Sequence, residues 1–349
     1  MKQFFRIVFF LALPLVICSC GRQEPQRVQS VGTAMGTVIQ QNIYTQGEDC
    51  TGDIMDLIDG LEEQTLSWRL ETSELYRVNQ AAGNDYGVEL TEESAQVLRQ
   101  CLELTEDSEG AFDIAIGPAA RLWDIDGWAS GQRQGEFQPP SQDDLEQALA
   151  LCGSDRLRLQ TDVDPEGGSE VTLLYSEAGT ALDLGAVGKG LALTHILEYL
   201  EGNPDITGAT VSVGGSVLTY GVKPDAGPWR VGITDPADSA RNLGILSLEG
   251  QWCVSTSGDY ERFVEAGGVR YHHILDPATG YPADSGLSAV TVVTKDGLLS
   301  DALSTACFVL GREKGMKLAK QYGAEALFVD KSGEIIMTPG MEPLFQAVQ

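Results

Sequence analysis

The residues best suited to chemistry lie between Val254 and Thr305. Asp301 and Thr305 are four positions apart in a predicted helix, so their side chains lie on one face of it. A carboxylate beside a hydroxyl makes an all-oxygen site, which is the kind that Mg²⁺ or Ca²⁺ prefers. Two residues are an incomplete metal site, so further oxygens must come from backbone carbonyls, phosphate or water. The glycine-rich turn around Ala186 could supply a carbonyl.

Two of the three histidines of the chain, His272 and His273, are adjacent and precede an Asp-Pro turn. Neighbouring residues on a strand face opposite sides, so at most one of this pair points into a given site. That histidine could act as a general base, or it could be structural, as single histidines more often are. His195, in a predicted helix, is interpreted as structural.

The segment Asp183–Gly190, DLGAVGKG, departs from both common phosphate-binding motifs. Its glycines would nevertheless let a ligand approach the backbone, a helix N-terminus would offer free N–H groups, and Lys189 adds a positive charge. Taken alone, the segment is better explained as a tight strand–helix turn with a solvated lysine. In Gly110–Asp113, Phe112 could likewise be a core residue or line a pocket for an aromatic ligand.

The elements that must position these residues are mixed helices and strands. Apolar spacing predicts helices at 53–66 and 92–105, and Val31–Ile43 is predicted as one strand with a close backbone approach at Gly36. Ser255–Gly258 is interpreted as a hydroxyl-rich bend, ahead of a predicted strand at 287–294. Strands and helices do not alternate strictly, and several spacings suit hairpins, so the sequence predicts an α+β fold in one large globular unit.

The formal net charge of -28 argues against non-specific nucleic-acid binding, which requires a basic surface. A polyanionic ligand would be repelled unless a cation intervened. The five cysteines that follow Cys20 show neither CxxC pairs nor a metal-binding spacing.

The first twenty residues are predicted to be a lipoprotein signal peptide. Lys2 and Arg6 precede an apolar stretch that is short for a bilayer span, and Ile17–Cys20 is typical of a bacterial lipobox. Cys20 would then be lipidated, with 21–30 as a tether and 31–349 as the folded domain. The alternative is an ordinary cleaved signal peptide. We expect an exported protein, anchored by lipid on the outer side of the cytoplasmic membrane or on a periplasmic face.

Seven segments in order resemble the ApbE family, the FAD:protein FMN transferases, over roughly residues 31 to 340. They are Met35–Thr37, Leu66–Leu75, Gly110–Asp113, Asp183–Gly190, Ser255–Tyr260, His273–Pro277 and Asp301–Thr305. The resemblance implies an α+β fold related to tunnelling-type folds. It also implies Mg²⁺-dependent transfer of the FMN half of FAD to a Thr or Ser hydroxyl of a target protein, with release of AMP. The targets would be exported redox subunits of the Nqr or Rnf type.

The resemblance also implies roles for individual residues. His273 corresponds to the base that takes the proton from the acceptor hydroxyl, and Asp301, Thr305 and the carbonyl of Ala186 would hold Mg²⁺. The residues expected to contact FAD are Met35, Arg69, Ala111, Phe112, Asp113, Asp183, Lys189 and Ile274. Two departures matter: Arg69 stands where many members have tyrosine, and His272 is a second histidine beside the base.

Two other functions remain open at the level of sequence. One is Mg²⁺-dependent hydrolysis of FAD to FMN and AMP, with water in place of the acceptor hydroxyl. The other is a lipoprotein that binds flavin without turnover. Covalent flavin on a target protein would distinguish the transferase from both. The transferase chemistry suits the residues, because a diphosphate needs charge neutralisation and a histidine of ordinary pKa can take a proton near neutral pH.

Overall fold

The computed structural model describes residues 24–163 and 170–348. All strand pairings in this part of the chain are antiparallel. Its strands are β1 Gln26–Ala34, β2 Thr37–Thr45, β3 Val88–Leu90, β4 Leu157–Val163, β5 Glu170–Ser176, β6 Ile206–Val213, β7 Ser216–Gly221, β8 Trp229–Asp235, β9 Asp238–Leu248, β10 Trp252–Gly258, β11 Phe263–Ala266, β12 Val269–His272, β13 Leu287–Thr294, β14 Glu325–Asp330, β15 Ile335–Met337 and β16 Phe345–Ala347.

The helices are interspersed with these strands, which confirms the predicted α+β class. They are α1 Thr51–Leu61, α2 Glu74–Gln80, α3 Glu92–Asp107, α4 Gly117–Trp123, α5 Ile125–Ala129, α6 Gln142–Leu149, α7 Gly188–Gly202 and α8 Gly297–Gln321. The helix predicted at 53–66 is α1 followed by a π-helical turn, Glu62–Leu66. Helix α8 carries Asp301 and Thr305 as predicted, and it is interrupted at Gly311, where φ is 75°.

The central sheet has the strand order β1-β2-β6-β7-β10-β13-β14-β15. Helices α1, α7 and α8 pack on one face of it and supply much of the main apolar core. Strand β2 shows the expected alternation, because Ile39 and Ile43 are buried between more exposed neighbours. The remaining strands form the sheets β16-β9-β8 and β3-β5-β4 and the separate two-stranded pair β11-β12.

Strand β13 is covered on both sides. Val290 and Val292 belong to the main core beneath α8, while Ala289 and Val293 belong to a second apolar cluster with the sheet β16-β9-β8. Burial on both faces explains why this strand reads as an almost continuous apolar run, from which the sequence correctly predicted it.

Two local predictions were wrong. The segment 31–43 is a hairpin rather than one strand, because Met35 and Gly36 adopt φ of 51° and 67° and form the turn between β1 and β2. Ser255–Gly258 is not a bend; it is the second half of β10, paired with β13.

The folded region begins before Val31. Strand β1 starts at Gln26, within the segment predicted as a tether, and its residues 26–30 pair with 41–45 of β2. The lipobox and Cys20 lie outside the described residues. In the part of the chain that the structure describes, no helix has both the length and the apolar character needed to cross a bilayer.

Candidate active site

One cleft brings together nearly all of the predicted site residues. It is bounded by the N-terminus of α7, the first half of α8, strand β10, and the segments 111–126 and 261–277. The predicted residues that line it are Arg69, Ala111, Phe112, Asp113, Asp183, Ala186, Lys189, His273, Ile274, Asp301 and Thr305. Met35 is not among the lining residues: it packs against the main core, with its methyl group beside Gly188.

Helices α7 and α8 cross at two glycines, and this crossing delivers Asp301 to the cleft. A Cβ at Gly190 would lie 2.3 Å from the carbonyl oxygen of Gly297 and 2.7 Å from the Cβ of Asp301. Only glycine permits so close an approach. The crossing lets the Gly190 N–H donate to Asp301 Oδ2 at 3.0 Å, and it brings Lys189 Nζ to 3.5 Å from Asp301 Oδ1.

Hydroxyl groups join β10 to α8 on the C-terminal side of Gly297. Ser255 and Ser257 are two residues apart on one face of the strand, while Ser300 and Ser304 are four apart on one face of the helix. The hydroxyls meet in pairs, Ser255 with Ser300 at 2.8 Å and Ser257 with Ser304 at 2.8 Å. The second pair extends to Thr305, whose Oγ1 is 3.2 Å from Ser257 Oγ.

The oxygens around Asp301 fit a hard divalent cation. The carboxylate is 2% exposed, and the hydroxyl of Thr305 lies one turn further along the same helix. Ala186 lines the same cleft just before α7. Over residues 24–163 and 170–348, no group of three or more His, Cys, Asp or Glu side chains could hold a metal ion. A cation here would therefore rely on one carboxylate, a hydroxyl, a backbone carbonyl and the oxygens of a bound ligand.

His273 enters the cleft with its ring already oriented. Its backbone N–H donates to the carbonyl oxygen of Arg262 at 3.1 Å, and its Nδ1 lies 3.2 Å from the same oxygen. A carbonyl oxygen only accepts, so Nδ1 carries the proton and the lone pair of Nε2 is left free. Burial, followed by the positive charge of Arg262, lowers the pKa of His273 to about 3, so the ring is neutral and able to accept a proton.

His272 faces away from the cleft, as the alternation along a strand requires. Its Nε2 lies 3.1 Å from the carbonyl oxygen of Ala283, and its ring meets the ring of Phe308 edge-on at 5.6 Å. It is 4% exposed, and burial lowers its pKa below the ordinary value. His195 also lies away from the cleft, on α7 beside Glu93. Of the adjacent pair, only His273 is in a position to act on a ligand in the cleft.

The carboxylates of Asp113 and Asp183 already have backbone partners. Asp113 accepts from the N–H groups of Ala115 and Ser154 at 2.8 and 2.9 Å, which caps a short 3₁₀ helix. Asp183 accepts from the Gly185 N–H at 2.8 Å, and its own N–H donates to Ile114 at 2.8 Å. Burial raises the pKa of Asp183. Both residues hold the cleft wall in shape.

Two arginines contact one indole ring on the cleft wall. The guanidinium carbons of Arg69 and Arg121 lie 4.0 and 5.0 Å from the ring centroid of Trp68. The stacking partner of Arg69 is therefore a residue of the protein itself, within cation–π range.

Several cleft residues were missed at the level of sequence. Trp68, Arg121, Asp126, Ser257, Glu261 and Arg262 all line the cleft. The signal for Ser257 was its spacing of two from Ser255, which suits one face of a strand. Asp126 gave no signal, because its partner Arg262 lies 136 residues further along the chain.

Comparison with known proteins identifies the family of the chain. The chain matches the model of the ApbE family over residues 35–328. It is 31% identical to an FAD:protein FMN transferase of Treponema pallidum, over 93% of this chain and 91% of that protein. The fold matches the flavin transferase ApbE from Vibrio cholerae with a TM-score of 0.77 at 26% identity, over 92% of this chain and 99% of that one. It also matches the apo form of the flavinyl transferase ApbE from Pseudomonas stutzeri, with a TM-score of 0.75 at 30% identity, over 93% and 99% of the two chains. The chain therefore belongs to the ApbE family.

Proposed function

We propose that this protein transfers the FMN half of FAD to a threonine or serine hydroxyl of a target protein and releases AMP. The observation that carries the proposal is the cleft itself, which holds a neutral, oriented histidine together with a lysine–aspartate pair at the start of a helix. The similarity of the chain in sequence and fold to FAD:protein FMN transferases supports the same reaction.

The acceptor hydroxyl would attack the phosphorus of the FMN half. A new O–P bond forms, the bond from that phosphorus to the bridging oxygen breaks, and AMP leaves with the bridging oxygen. Nε2 of His273 takes the hydroxyl proton, while Nδ1–H stays bonded to the Arg262 carbonyl. A base positioned in this way is worth about 10²–10⁴-fold in rate.

The negative charge of the diphosphate needs compensation in a chain of net charge -28. Lys189 supplies one positive charge beside Asp301. Asp301, Thr305 and the carbonyl of Ala186 would hold Mg²⁺, which would supply further neutralisation of the phosphate oxygens when bound. The N-terminal end of α7 borders the cleft, and its helix dipole favours the same anion.

Ligand contacts follow the cleft wall. Arg69, Ala111, Phe112, Asp113, Asp183, Lys189 and Ile274 line the cleft and are proposed to contact FAD. Met35 would contribute indirectly, because it packs beside the start of α7. We also propose that Cys20 is lipidated, and that the protein works outside the cytoplasmic membrane on redox subunits of the Nqr or Rnf type.

The test uses the full-length protein in mild detergent, with FAD, Mg²⁺ and a purified Nqr- or Rnf-type subunit that carries an acceptor threonine. Flavin fluorescence of the subunit on a denaturing gel and release of AMP are followed together. A fluorescent band that is lost with EDTA supports the transferase. AMP without a band, for this subunit and for a second one, indicates FAD hydrolysis. Bound FAD with neither product indicates a flavin-binding protein.

A further inference from the structure

The position of His273 depends on a single carbonyl group. Both the backbone N–H and the Nδ1–H of His273 are directed at the carbonyl oxygen of Arg262, at 3.1 and 3.2 Å. That oxygen determines which ring nitrogen keeps the proton, and it also sets the direction of the ring. Whatever holds Arg262 in place therefore also holds the base.

The central sheet does not hold Arg262 in place. Arg262 directly precedes the hairpin of β11 and β12, and within the described residues these strands pair only with each other, Phe263 opposite His272. The hairpin rests against α5 instead: Ile125 and Trp128 of α5 share an apolar cluster with Val264 of β11. Such packing keeps the hairpin on the protein, but it has little directional preference.

The directional contact with α5 is an ion pair of Arg262, the residue just before β11. Arg262 Nη1 donates to Asp126 Oδ2 of α5 at 3.1 Å. The two side chains are 37% and 49% exposed, so the pair adds little to the stability of the fold. Asp126 lies in the first turn of α5, and the residue that precedes this helix, Asp124, is in the left-handed region at φ 43° and contacts Arg133.

We propose that the Asp126–Arg262 ion pair is a positioning device for His273, a role that rests on the proposed function. The side chain of Arg262 bonds to Asp126 of α5, and the backbone carbonyl of Arg262 accepts from the imidazole ring of His273. The ion pair therefore helps to orient the ring. Neither residue needs to react. Their contribution is to hold Nε2 at the angle from which it removes the acceptor proton.

The kinetic test compares Asp126→Ala, Arg262→Gln and Arg262→Lys, each alone and combined with His273→Ala. We expect Asp126→Ala and Arg262→Gln to lower kcat by about 5- to 50-fold, since small misplacements of a catalytic group are costly. KM for FAD should stay within about twofold, because neither residue is among those proposed to contact FAD. Arg262→Lys should recover most of the loss, as it keeps the charge. Combined with His273→Ala, the same substitutions should change the residual rate by less than about twofold.

A matched control breaks an ion pair outside the cleft. Glu92→Gln removes the partner of Arg99; both side chains are exposed, and neither residue lines the cleft. It should leave kcat unchanged. An equal loss from Asp126→Ala with and without His273, or no loss in either background, would overturn the proposal.

A second measurement is independent of turnover. With three histidines in the chain, ¹⁵N-histidine labelling gives a simple imidazole spectrum, and His273→Ala assigns the signal. The wild-type protein should show His273 protonated at Nδ1 only, and Asp126→Ala and Arg262→Gln should show a mixture of tautomers. An unchanged tautomer in both variants would contradict the positioning role. If the wild type bound FAD without transferring it, the proposed function would fail, and this spectrum would still decide what fixes the ring.

Discussion

Lys189 on α7 and Asp301 on α8 face each other across the helix crossing, with Nζ 3.5 Å from Oδ1. The carboxylate is almost fully buried and also accepts the Gly190 N–H at 3.0 Å. One aspartate thus links the lysine, the helix start and the proposed cation. A ligand that carries its own cation would meet a carboxylate that already has two partners, so the site is organised before binding.

Replacement of Asp301 should reduce the rate of transfer strongly and the stability of the fold only slightly. Asp301→Asn keeps an oxygen for the Gly190 N–H but loses the charge that Lys189 and a divalent cation require. We expect Mg²⁺-dependent transfer to fall by about 100-fold or more, since the metal and lysine together neutralise the diphosphate. The melting temperature should fall by only a few degrees. Transfer assays across a Mg²⁺ titration and a thermal melt measure both effects, with exposed Asp143→Asn as the control. Full activity of Asp301→Asn would exclude this metal site.

The two adjacent histidines should behave oppositely. His273→Ala removes the group at the cleft and should slow transfer by about 10²–10⁴-fold. Its affinity for FAD, measured by flavin fluorescence quenching, should change little. His272→Ala opens a cavity beside Phe308 and should cost stability, while the folded fraction remains active. The reverse pattern would assign the base to His272.

The pH dependence of the reaction follows from the environment of His273. Burial and Arg262 lower its pKa to about 3, so the ring is already neutral at pH 5. The rate at subsaturating FAD should show no acid limb from this residue between pH 5 and 8. Arg262→Gln removes a positive charge beside His273, which raises the pKa of His273 and moves the acid limb to higher pH. A wild-type limb near the ordinary histidine value that His273→Ala abolishes would show that the ring titrates normally.

The same lowered pKa affects stability. The pKa of the unfolded ring is about 6.5, above the folded value, so the unfolded chain binds more protons in this range. This contribution to stability is present above about pH 6.5 and decreases as the pH falls toward the folded pKa. Between pH 7.5 and pH 5, the melting temperature of the wild type should therefore fall further than that of His273→Gln. Equal losses would mean that His273 contributes nothing to the pH dependence.

The helix crossing tolerates no side chain at its closest point. Gly190→Ala would place a Cβ 2.3 Å from the Gly297 carbonyl oxygen, so the helices must separate. We expect a loss of about 1–3 kcal/mol in the free energy of unfolding, as for other overpacked sites, together with loss of transfer because Asp301 moves. Gly202→Ala, at the end of the same helix with nothing within 4 Å of the added carbon, is the matched control and should be neutral or stabilising. Denaturant unfolding measures both variants.

What the sequence predicted well was local. The placement of Asp301 and Thr305 on one helix face follows from a repeat of 3.6 residues, and the opposite directions of His272 and His273 follow from a repeat of two. The same reasoning applied to Ser255 and Ser257 would have predicted a strand face. The hydroxyl-rich composition suggested a bend instead, and the pairing with β13 that makes it a strand is not a local property.

What the sequence did not predict depends on partners far along the chain. The carboxylate of Asp113 accepts from the N–H of Ser154, 41 residues later, and Asp126 pairs with Arg262, 136 residues later. Met35 has a positive φ that its residue type does not favour, and its N–H donates to Glu62 in the π-helical turn. Each of these contacts comes from the tertiary fold, and no spacing within one element encodes it.

Strand β13 has a consequence for how the molecule unfolds. Because Val290 and Val292 enter the main core while Ala289 and Val293 enter the second cluster, loss of packing in either cluster would disturb the strand that both share. The two layers should therefore open as one cooperative unit. In native-state hydrogen exchange, the amides of β13 should exchange only through global unfolding, whereas those of the separate hairpin β11-β12 should exchange through smaller openings. The hairpin that ends beside His273 would then open more readily than the strand that joins the two layers.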